Sequence, residues 1–236
     1  MTSLNLNHIE FNRGDWQLNV SFSIKKGKCI ALIGANGAGK STLLSLISGF
    51  EKPDRGEIFI DNICVNDLSP AERPVTMMFQ GNNLFSHMSL FDNIALACDP
   101  GLKLKSHHLK IINEALYKTQ LANIKDKKPG ECSGGEQQRA ALARCLCQKK
   151  PLFLLDEPFA SLDPPTRKRM YLLLNDLRME NNITIILVSH SPQEAILSAD
   201  EFIFLNDGDF KERGDIKNIF ERPKTKELED YLQFTS

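Results

Sequence analysis

Short apolar runs alternate with amphipathic segments over most of the chain. Four of these runs are typical of buried parallel strands: "CIALIG", "VTMMF", "LFLLD" and "TIILVSH". Helical periodicity fills segments between them, for example Ser41 to Ser48 and Thr166 to Glu180. This alternation predicts an α/β fold in which helices cover the faces of a parallel sheet.

Two regions depart from this alternation. Near the N-terminus, "LNLNHIEF", "LNVSFSI" and "GEIFIDN" predict antiparallel strands. Between Gln80 and Glu131 strand signals vanish, and "SLFDNIALA" and "LKIINEALYKTQLANI" predict helices. We therefore expect one domain over residues 1–236, with a helical insertion at about 81–133 and a short helical tail at about 215–236 that is too short for another domain.

Composition and charge narrow the possible partners. Hydrophobic residues make up 42% of the chain and charged residues 25%, which is ordinary for a globular protein. The net charge of -1 provides no strong field for nucleic acid or an anionic membrane, so we expect no nucleic-acid partner. The apolar runs are too short to span a bilayer, and the N-terminus has no charged-then-apolar signal region.

Six cysteines are present without a CxxC pair. In a chain without an export signal they are expected to be reduced thiols in the cytoplasm. Cys145 and Cys147 suggest a metal site at first sight, but CxC on one helix points the two thiols apart, so structural thiols are the favoured interpretation.

The segment "GANGAGKST" fits the phosphate-loop pattern G-x-x-x-x-G-K-[ST] between a strand and a helix. Its glycines allow backbone N–H groups to surround phosphate oxygens, and the following helix N-terminus adds positive partial charge. Lys40 is placed to reach the β- and γ-phosphates, and Ser41 to bind Mg²⁺. The alternative is a glycine turn that caps a core helix, which the flanking elements disfavour. The predicted nucleotide-binding residues of the loop are Gly34, Ala35, Asn36, Gly37, Ala38, Gly39, Lys40, Ser41 and Thr42.

Polar residues end three other predicted strands. "PLFLLDEP" ends in Asp156, suited to Mg²⁺ contact, and Glu157, suited to be the general base for a water aimed at the γ-phosphate. His190 follows "ITIILVS" and is predicted to be catalytic, holding that water or the γ-phosphate. Gln80 follows "VTMMF" and is predicted to bind Mg²⁺ or nucleotide. The alternative interpretations have no functional role for these residues. Asp156 and Glu157 would then be acids at a solvent-exposed strand end, His190 a histidine whose hydrogen bonds are made within the fold, and Gln80 an ordinary loop residue.

The segment "ECSGGEQQR" places Ser133, Gly134 and Gly135 directly ahead of a predicted helix. Ser133 and Glu136 have the S-x-x-E spacing of a capping box, so simple helix capping is one interpretation. The other is a second anion site made by Ser133 and the glycine amides. A second phosphate-binding site in the same chain has a ligand only if it binds the nucleotide held by a neighbouring copy. This interpretation implies a head-to-tail dimer that encloses two nucleotides.

The order of these motifs resembles the ATP-binding subunits of ABC transporters from end to end. "GANGAGKST" is similar to the Walker A motif, "LFLLDE" to Walker B, and "CSGGE" to the signature motif, which is usually LSGGQ. Gln80 lies at the Q-loop, "SLD" (Ser161 to Asp163) at the D-loop and His190 at the switch histidine. A narrower resemblance, carried mainly by "NNLFSH" and "PGLKL", is to the ATP-binding subunits of bacterial thiamine importers, with thiamine or its phosphates as cargo.

The resemblance implies a P-loop NTPase fold of the ABC type with an antiparallel β-subdomain and an inserted helical subdomain. It also implies hydrolysis of Mg²⁺-ATP in a homodimer, in which Ser133, Gly134, Gly135 and Glu136 of one subunit contact the ATP of the other. The implied partners are transmembrane permease subunits and, indirectly, a periplasmic solute-binding protein. The implied location is peripheral, on the cytoplasmic face of the bacterial inner membrane.

Two other functions compete with this one. A soluble ABC ATPase acting on nucleic acid or ribosomes usually carries coiled-coil insertions, tandem cassettes or basic surfaces, none of which the sequence shows. A nucleotide-regulated binding module without turnover needs neither Glu157 nor His190.

The sequence departs from the family pattern at three positions. Cys132 replaces leucine, and Glu136 replaces glutamine, which places a negative charge beside a phosphate site; we expect Glu136 to weaken ATP-driven closure. Near position 13, where the family usually has an aromatic residue that stacks on adenine, the chain has Arg13, and we rank Arg13 and Phe11 ahead of Trp16 as nucleotide contacts.

Apolar side chains crowd the segment after Gln80, where the family receives a coupling helix from the permease. They either form that contact or belong to the core of the insertion; the residues are Leu84, Phe85, Met88 and Leu90.

Overall fold

A computed structural model of the protein describes residues 2–79, 84–160, 162–189 and 195–235. The strands within these ranges are β1 (Thr2–Arg13), β2 (Trp16–Lys25), β3 (Cys29–Ile33), β4 (Arg55–Ile60), β5 (Ile63–Cys64), β6 (Val75–Met78), β7 (Leu152–Asp156), β8 (Thr184–Val188), β9 (Glu201–Asn206) and β10 (Asp209–Asp215). The α-helices are α1 (Lys40–Ser48), α2 (Leu90–Ala95), α3 (Ser106–Lys118), α4 (Gly134–Cys147), α5 (Pro164–Asn181) and α6 (Lys226–Thr235). Within the same ranges, no helix combines the length and apolar character that a membrane crossing requires.

The described strands form a single sheet in the order β5-β4-β1-β2-β10-β9-β3-β8-β7-β6. Strands β9, β3, β8, β7 and β6 are parallel neighbours. All five residues of β3, of β7 and of β8 are buried, as their continuous apolar runs require when helices cover both faces. The predicted parallel sheet is therefore confirmed, and the carboxyl ends of these strands meet at one edge.

The N-terminal strands are antiparallel, as predicted: β1 pairs with β2 on one side and with β4 on the other. Strand β2 alternates buried and exposed residues, which matches its period-two sequence pattern. The sequence did not predict β9 and β10, which form an antiparallel pair. Strand β10 also pairs with β2, so this hairpin joins the antiparallel and parallel regions into one sheet.

Helices α2 and α3 lie within the helical insertion predicted at about 81–133, together with two short 3-10 turns at Ala122–Ile124 and Pro129–Glu131. Helix α4 follows directly after this range and packs on them, so the helical region of the structure comprises α2, α3 and α4. They share an apolar cluster separate from that of the sheet; its buried members are Leu90, Ile94, Ala95, Ile112, Ala115, Leu116, Leu121, Ala140, Ala143 and Cys147. The other face of α4 packs under the sheet through Ala141, Leu142 and Cys145. Cys145 and Cys147 thus lie in different clusters, and α4 connects the helical region to the sheet.

Helix α1, which follows the phosphate loop, is fixed at its C-terminal end by a buried arginine. The Arg73 side chain is 1% exposed and donates hydrogen bonds to the carbonyls of Leu46 and Ile47 at 2.7 and 3.0 Å. These carbonyls have no partner within the helix, so the guanidinium satisfies them and complements the helix dipole. Gly49 ends the helix with φ +87°, and a Cβ there would lie 2.5 Å from Arg73 Nε.

Candidate nucleotide-binding site

The loop between β3 and α1 begins and ends with glycines that the structure requires. At Gly34 a Cβ would lie 2.2 Å from the backbone oxygen of Leu205, so only glycine fits beside β9. Gly39 has φ +99° and lies against the Trp16 ring. Between them Ala35, Asn36 and Gly37 are exposed at the crest of the loop. The backbone of this crest is therefore accessible to a ligand from solvent.

Lys40 begins α1 and is held inside the loop. Its side chain is 6% exposed, and its Nζ donates to the carbonyl oxygens of Gly34 at 2.7 Å and Ala35 at 2.8 Å. Burial lowers the pKa of Lys40 from its usual value of 10.5, while the charges of Glu157 and Asp156 act in the opposite direction. The ammonium group is thus held by two neutral carbonyls that phosphate oxygens can replace.

Two carboxylates end strand β7 beside the loop. Asp156 is the last residue of the strand and is 7% exposed. Glu157 is half-buried, with φ +48°, and its backbone N–H donates to the Val188 oxygen at 3.3 Å. A non-glycine residue in the left-handed region costs of the order of 1–3 kcal/mol and is common at functional sites. Both carboxylates are close enough to Lys40 to influence its pKa.

A cavity of about 560 Å³ lies between the phosphate loop and Glu157, a volume within the range of small-molecule sites, whereas Asp156 is outside its lining. The described residues that line it are Arg13, Trp16, Asn36, Gly37, Gly39, Lys40, Ser41, Thr42 and Glu157. The structure therefore brings together the phosphate loop, Glu157 and Arg13.

The aromatic residues near Arg13 differ in their access to this cavity. Phe11 is 7% exposed and packs in the core, with the Arg13 guanidinium 5.6 Å above its ring. Arg13 also donates to Glu51 Oε1 at 2.5 Å. Trp16, which the sequence ranks last, lines the cavity next to Gly39, whereas Phe11 is outside the lining. The sequence signal for the position of Trp16 is the alternation of buried and exposed residues along β2. Because Trp16 and Leu18 are two residues apart, their side chains lie on the same face of the strand, and Leu18 is in the core.

The signature segment begins helix α4 with a complete capping box. Ser133 Oγ accepts from the Glu136 N–H at 3.3 Å, and Glu136 Oε2 accepts from the Ser133 N–H at 2.7 Å and from its hydroxyl at 3.0 Å. The hydrogen bonds from Ser133 lower the pKa of Glu136, and the bond from the backbone N–H has the largest effect. Ser133 and Gly134 are exposed, whereas a Cβ on Gly135 would lie 3.2 Å from Leu162.

The signature residues do not contribute to the cavity of their own chain. Of the described residues that line it, none belongs to 133–136. Three other predicted motif residues, Gln80, Ser161 and His190, lie outside the described residues.

The phosphate loop, the acidic strand end and the helical region together define an ABC-type nucleotide-binding domain. The family described as ABC transporter matches residues 18–160, so the chain belongs to the ABC transporter ATPases, in which ATP hydrolysis is coupled to transport. The thiamine import ATP-binding protein ThiQ of Photobacterium profundum is 40% identical over 235 residues, covering 97% of this chain and 98% of that protein.

Solved structures of similar fold agree with this assignment. The ADP conformation of MJ1267, an ATP-binding cassette of an ABC transporter, has a TM-score of 0.88 at 24% identity, covering 98% of this chain and 99% of the other. The post-hydrolysis state of the cassette MJ0796, a dimer bound to ADP and Pi, has a TM-score of 0.79 at 30% identity, covering 90% of this chain and 98% of the other. The predicted fold and family are confirmed.

Proposed function

We propose that this chain is the ATP-hydrolysing subunit of an importer for thiamine or thiamine phosphates. The assignment of thiamine as the transported solute rests on the end-to-end similarity to a thiamine import ATP-binding protein, because an ATPase subunit has no contact with the solute. The chain would act as a peripheral subunit on the cytoplasmic face of the bacterial inner membrane, bound to permease subunits. A periplasmic solute-binding protein would deliver the cargo.

Six of the residues that line the cavity have a defined task in this proposal. The backbone of Asn36 and Gly37 and the N-terminus of α1 bind phosphate oxygens, while Lys40 leaves the Gly34 and Ala35 carbonyls for the β- and γ-phosphates. Arg13 and Trp16 flank the nucleotide base. Glu157 accepts a proton from the water that attacks the γ-phosphate. His190 and Gln80 are assigned to the same site from the sequence.

The oxygen donors near Lys40 fit a magnesium ion. Ser41 is an exposed hydroxyl on the first turn of α1, and Asp156 is a buried carboxylate at the end of β7. Hydroxyl and carboxylate oxygens are the hard ligands that Mg²⁺ prefers, and it usually keeps several waters besides. Ser41, Asp156 and Gln80 would hold the ion, which neutralises charge on the β- and γ-phosphates when bound.

The site requires a second copy of the chain. Ser133 and Gly134 are exposed donors at the start of α4, and they lie outside the lining of their own cavity. Exposed N–H groups at a helix N-terminus form an anion site. In a homodimer, Ser133, Gly134 and Gly135 of one subunit would close on the γ-phosphate held by Lys40 of the other, so ATP would join the two copies.

Glu136 should oppose this closure. Its ionised carboxylate accepts from the N–H and the hydroxyl of Ser133, the donors that a γ-phosphate needs. In a Glu157→Gln background, Glu136→Gln should tighten the ATP-dependent dimer by up to about fivefold, as expected for removal of an exposed charge contact. Sedimentation equilibrium with ATP measures this change.

Glu131→Gln is the matched control, because Glu131 Oε2 accepts from the Lys128 N–H at 2.7 Å in the same type of cap just ahead of Ser133. Unchanged dimer affinity in Glu136→Gln would show that the carboxylate does not compete with phosphate.

Of the four apolar side chains predicted for the permease contact, Phe85 is the most exposed and Met88 is half-buried. Leu90 is fully buried, and Leu84 packs against the same helical cluster, so these two belong to the core. Phe85 is 49% exposed, although its backbone is fixed by two hydrogen bonds with the buried Asn93, at 2.7 and 3.1 Å. An exposed aromatic ring on a rigid backbone is suited to be an interface anchor.

Phe85→Ala should therefore lower recovery of the permease with the tagged chain by roughly tenfold, the loss typical of an interface anchor. Nucleotide affinity of the isolated subunit should stay within about twofold, because the ring lies outside the cavity lining. Tyr117→Ala, which removes a ring that is 79% exposed on α3, is the control. If Phe85→Ala lowered permease recovery and nucleotide affinity equally, Phe85 would belong to the core instead.

Uptake measurements test the proposed cargo. Deletion of the gene for this chain should abolish ATP-dependent uptake of radiolabelled thiamine by the host cell, and the wild-type gene should restore it. Competition with thiamine monophosphate and thiamine pyrophosphate shows which forms are carried. Normal thiamine uptake after deletion, with the permease still recovered on the tagged chain, would retain the ATPase role and reject the cargo.

A further inference from the structure

The side chain of Gln137, on the first turn of α4, is bonded to the segment that precedes this helix. Its amide nitrogen donates to the carbonyl oxygen of Pro129 at 3.0 Å and to that of Cys132 at 3.3 Å. Both partners are acceptors, so the nitrogen and not the oxygen of the amide faces them. Gln137 is half-buried. It therefore joins α4 to the turn that leads into the signature segment.

The bond from Gln137 to Cys132 fixes the orientation of one peptide group. The Cys132 carbonyl and the Ser133 N–H belong to the same planar trans peptide, in which the two groups point in opposite directions. A donor that holds the carbonyl therefore also sets the direction of the Ser133 N–H. At the other end of this peptide group, the N–H donates to Glu136 Oε2 at 2.7 Å.

The segment that leads to Cys132 is anchored at its other end by α2. The N–H of Leu90 donates to the carbonyl oxygen of Lys127 at 2.8 Å. The N–H of Phe91 donates to the carbonyl oxygen of Lys125, also at 2.8 Å. Both N–H groups lie in the first turn of α2, where the helix itself supplies no acceptor. The segment is thus fixed before it enters α4.

The two contacts of this peptide group respond differently to a bound phosphate. In the proposed dimer a γ-phosphate takes the place of Glu136 at the Ser133 N–H, so that bond is lost. The bond from Gln137 lies at the opposite end, on the Cys132 carbonyl, and remains. The Pro129 carbonyl keeps the amide in place and also accepts from the Cys132 N–H at 3.1 Å.

We infer that Gln137 is a positioning residue for the signature segment, which aims the Ser133 N–H at the phosphate held by the neighbouring copy. A donor that already points in the required direction binds its ligand at lower entropic cost. Gln137 is outside the described lining of the cavity of its own chain, so its effect should be confined to the dimer. The inference rests on the head-to-tail dimer of the proposed function and is independent of the transported solute.

Gln137→Met tests the inference, because methionine has a similar length and lacks the N–H donors. In a Glu157→Gln background it should raise the Kd of the ATP-dependent dimer by roughly 2- to 10-fold, the loss that corresponds to one hydrogen bond. The affinity of the single chain for ATP should stay within about twofold. Sedimentation equilibrium with ATP measures the dimer, and calorimetric titration of dilute full-length chain measures nucleotide binding.

Gln137→Lys is the rescue variant, because it keeps N–H donors on a side chain of similar reach. In about 0.5 M salt, which screens the added charge, its dimer Kd should return to within about twofold of the background variant. Gln120→Met is the matched control, since Gln120 is exposed in the same helical region and should leave the dimer Kd unchanged.

A lower melting temperature for Gln137→Met with an unchanged dimer Kd would show a role in folding alone and overturn the inference. Weak dimers in both Gln137→Met and Gln137→Lys would overturn it as well, because the N–H donors would then not be the cause. A background variant that binds ATP without forming any dimer would reject the head-to-tail dimer itself. Failure of the proposed function is thereby distinguished from failure of the role of Gln137.

Discussion

Glu157→Gln is expected to slow ATP hydrolysis by roughly 10²–10⁴-fold, the usual contribution of a general base. Glu157 lines the cavity and is half-buried, on a left-handed backbone directly after the last residue of β7. Glutamine has nearly the same shape but cannot accept the proton of the attacking water. ATP binding should change by less than about threefold, because the carboxylate does not bind phosphate.

The measurement is phosphate release under saturating ATP, together with the oligomeric state on size-exclusion chromatography. Because ATP persists in the variant, the proposed dimer should accumulate. Glu180→Gln is the control, as Glu180 forms an exposed ion pair with Lys118 at 2.7 Å and lies outside the cavity lining. Hydrolysis by Glu157→Gln above about a tenth of the wild-type rate would assign the general base elsewhere.

Lys40→Met is expected to weaken ATP binding by roughly 10- to 150-fold, the loss that corresponds to one charge-assisted hydrogen bond. Methionine fills a similar volume, so the loop should remain folded. The buried ammonium group already costs free energy, as its lowered pKa indicates, and its removal should leave the melting temperature nearly unchanged. Loss of affinity without loss of stability would separate a ligand-binding lysine from a structural one.

The pH dependence of the wild type gives a second test of Lys40. Only the charged ammonium attracts phosphate, and its pKa in the folded chain lies below 10.5. ATP affinity should therefore decrease as the pH rises through this lowered pKa, at a lower pH than for an ordinary lysine. Lys40→Met should lack this alkaline decrease, and Lys52→Met, which changes a side chain that is 67% exposed, should retain it. Wild-type affinity that is constant up to pH 10.5 would contradict the assignment of Lys40.

Local sequence was sufficient wherever a single periodicity determines an element. The continuous apolar runs of β3, β7 and β8 identify them as buried strands, because no half-exposed element tolerates them. The helical region was predictable because strand signals end there and Ser89 then caps helix α2. The loop between β3 and α1 was recognisable because glycines, lysine and serine at this fixed spacing have few other uses, and its binding of phosphate stays a prediction.

Contacts between segments that are distant in the sequence decided the position of the β9–β10 hairpin and the side chains that reach the cavity. The hairpin of β9 and β10 escaped prediction, although it supplies the Leu205 carbonyl that makes Gly34 obligatory. The alternation of β2 indicates which face Trp16 lies on, but the packing of β1 against β2 decides that Phe11 is buried in the core and that Trp16 lines the cavity.

By itself the sequence determined the fold class and the family, because these depend on local periodicity and on short motifs with fixed spacing; the phosphate-binding role of Lys40 and its loop stays a prediction. Only the tertiary structure decided that Trp16 lines the cavity beside Gly39, and that Glu136 engages the donors of Ser133. Side-chain positions of this kind depend on how separate elements pack, and no local pattern encodes the distance between them.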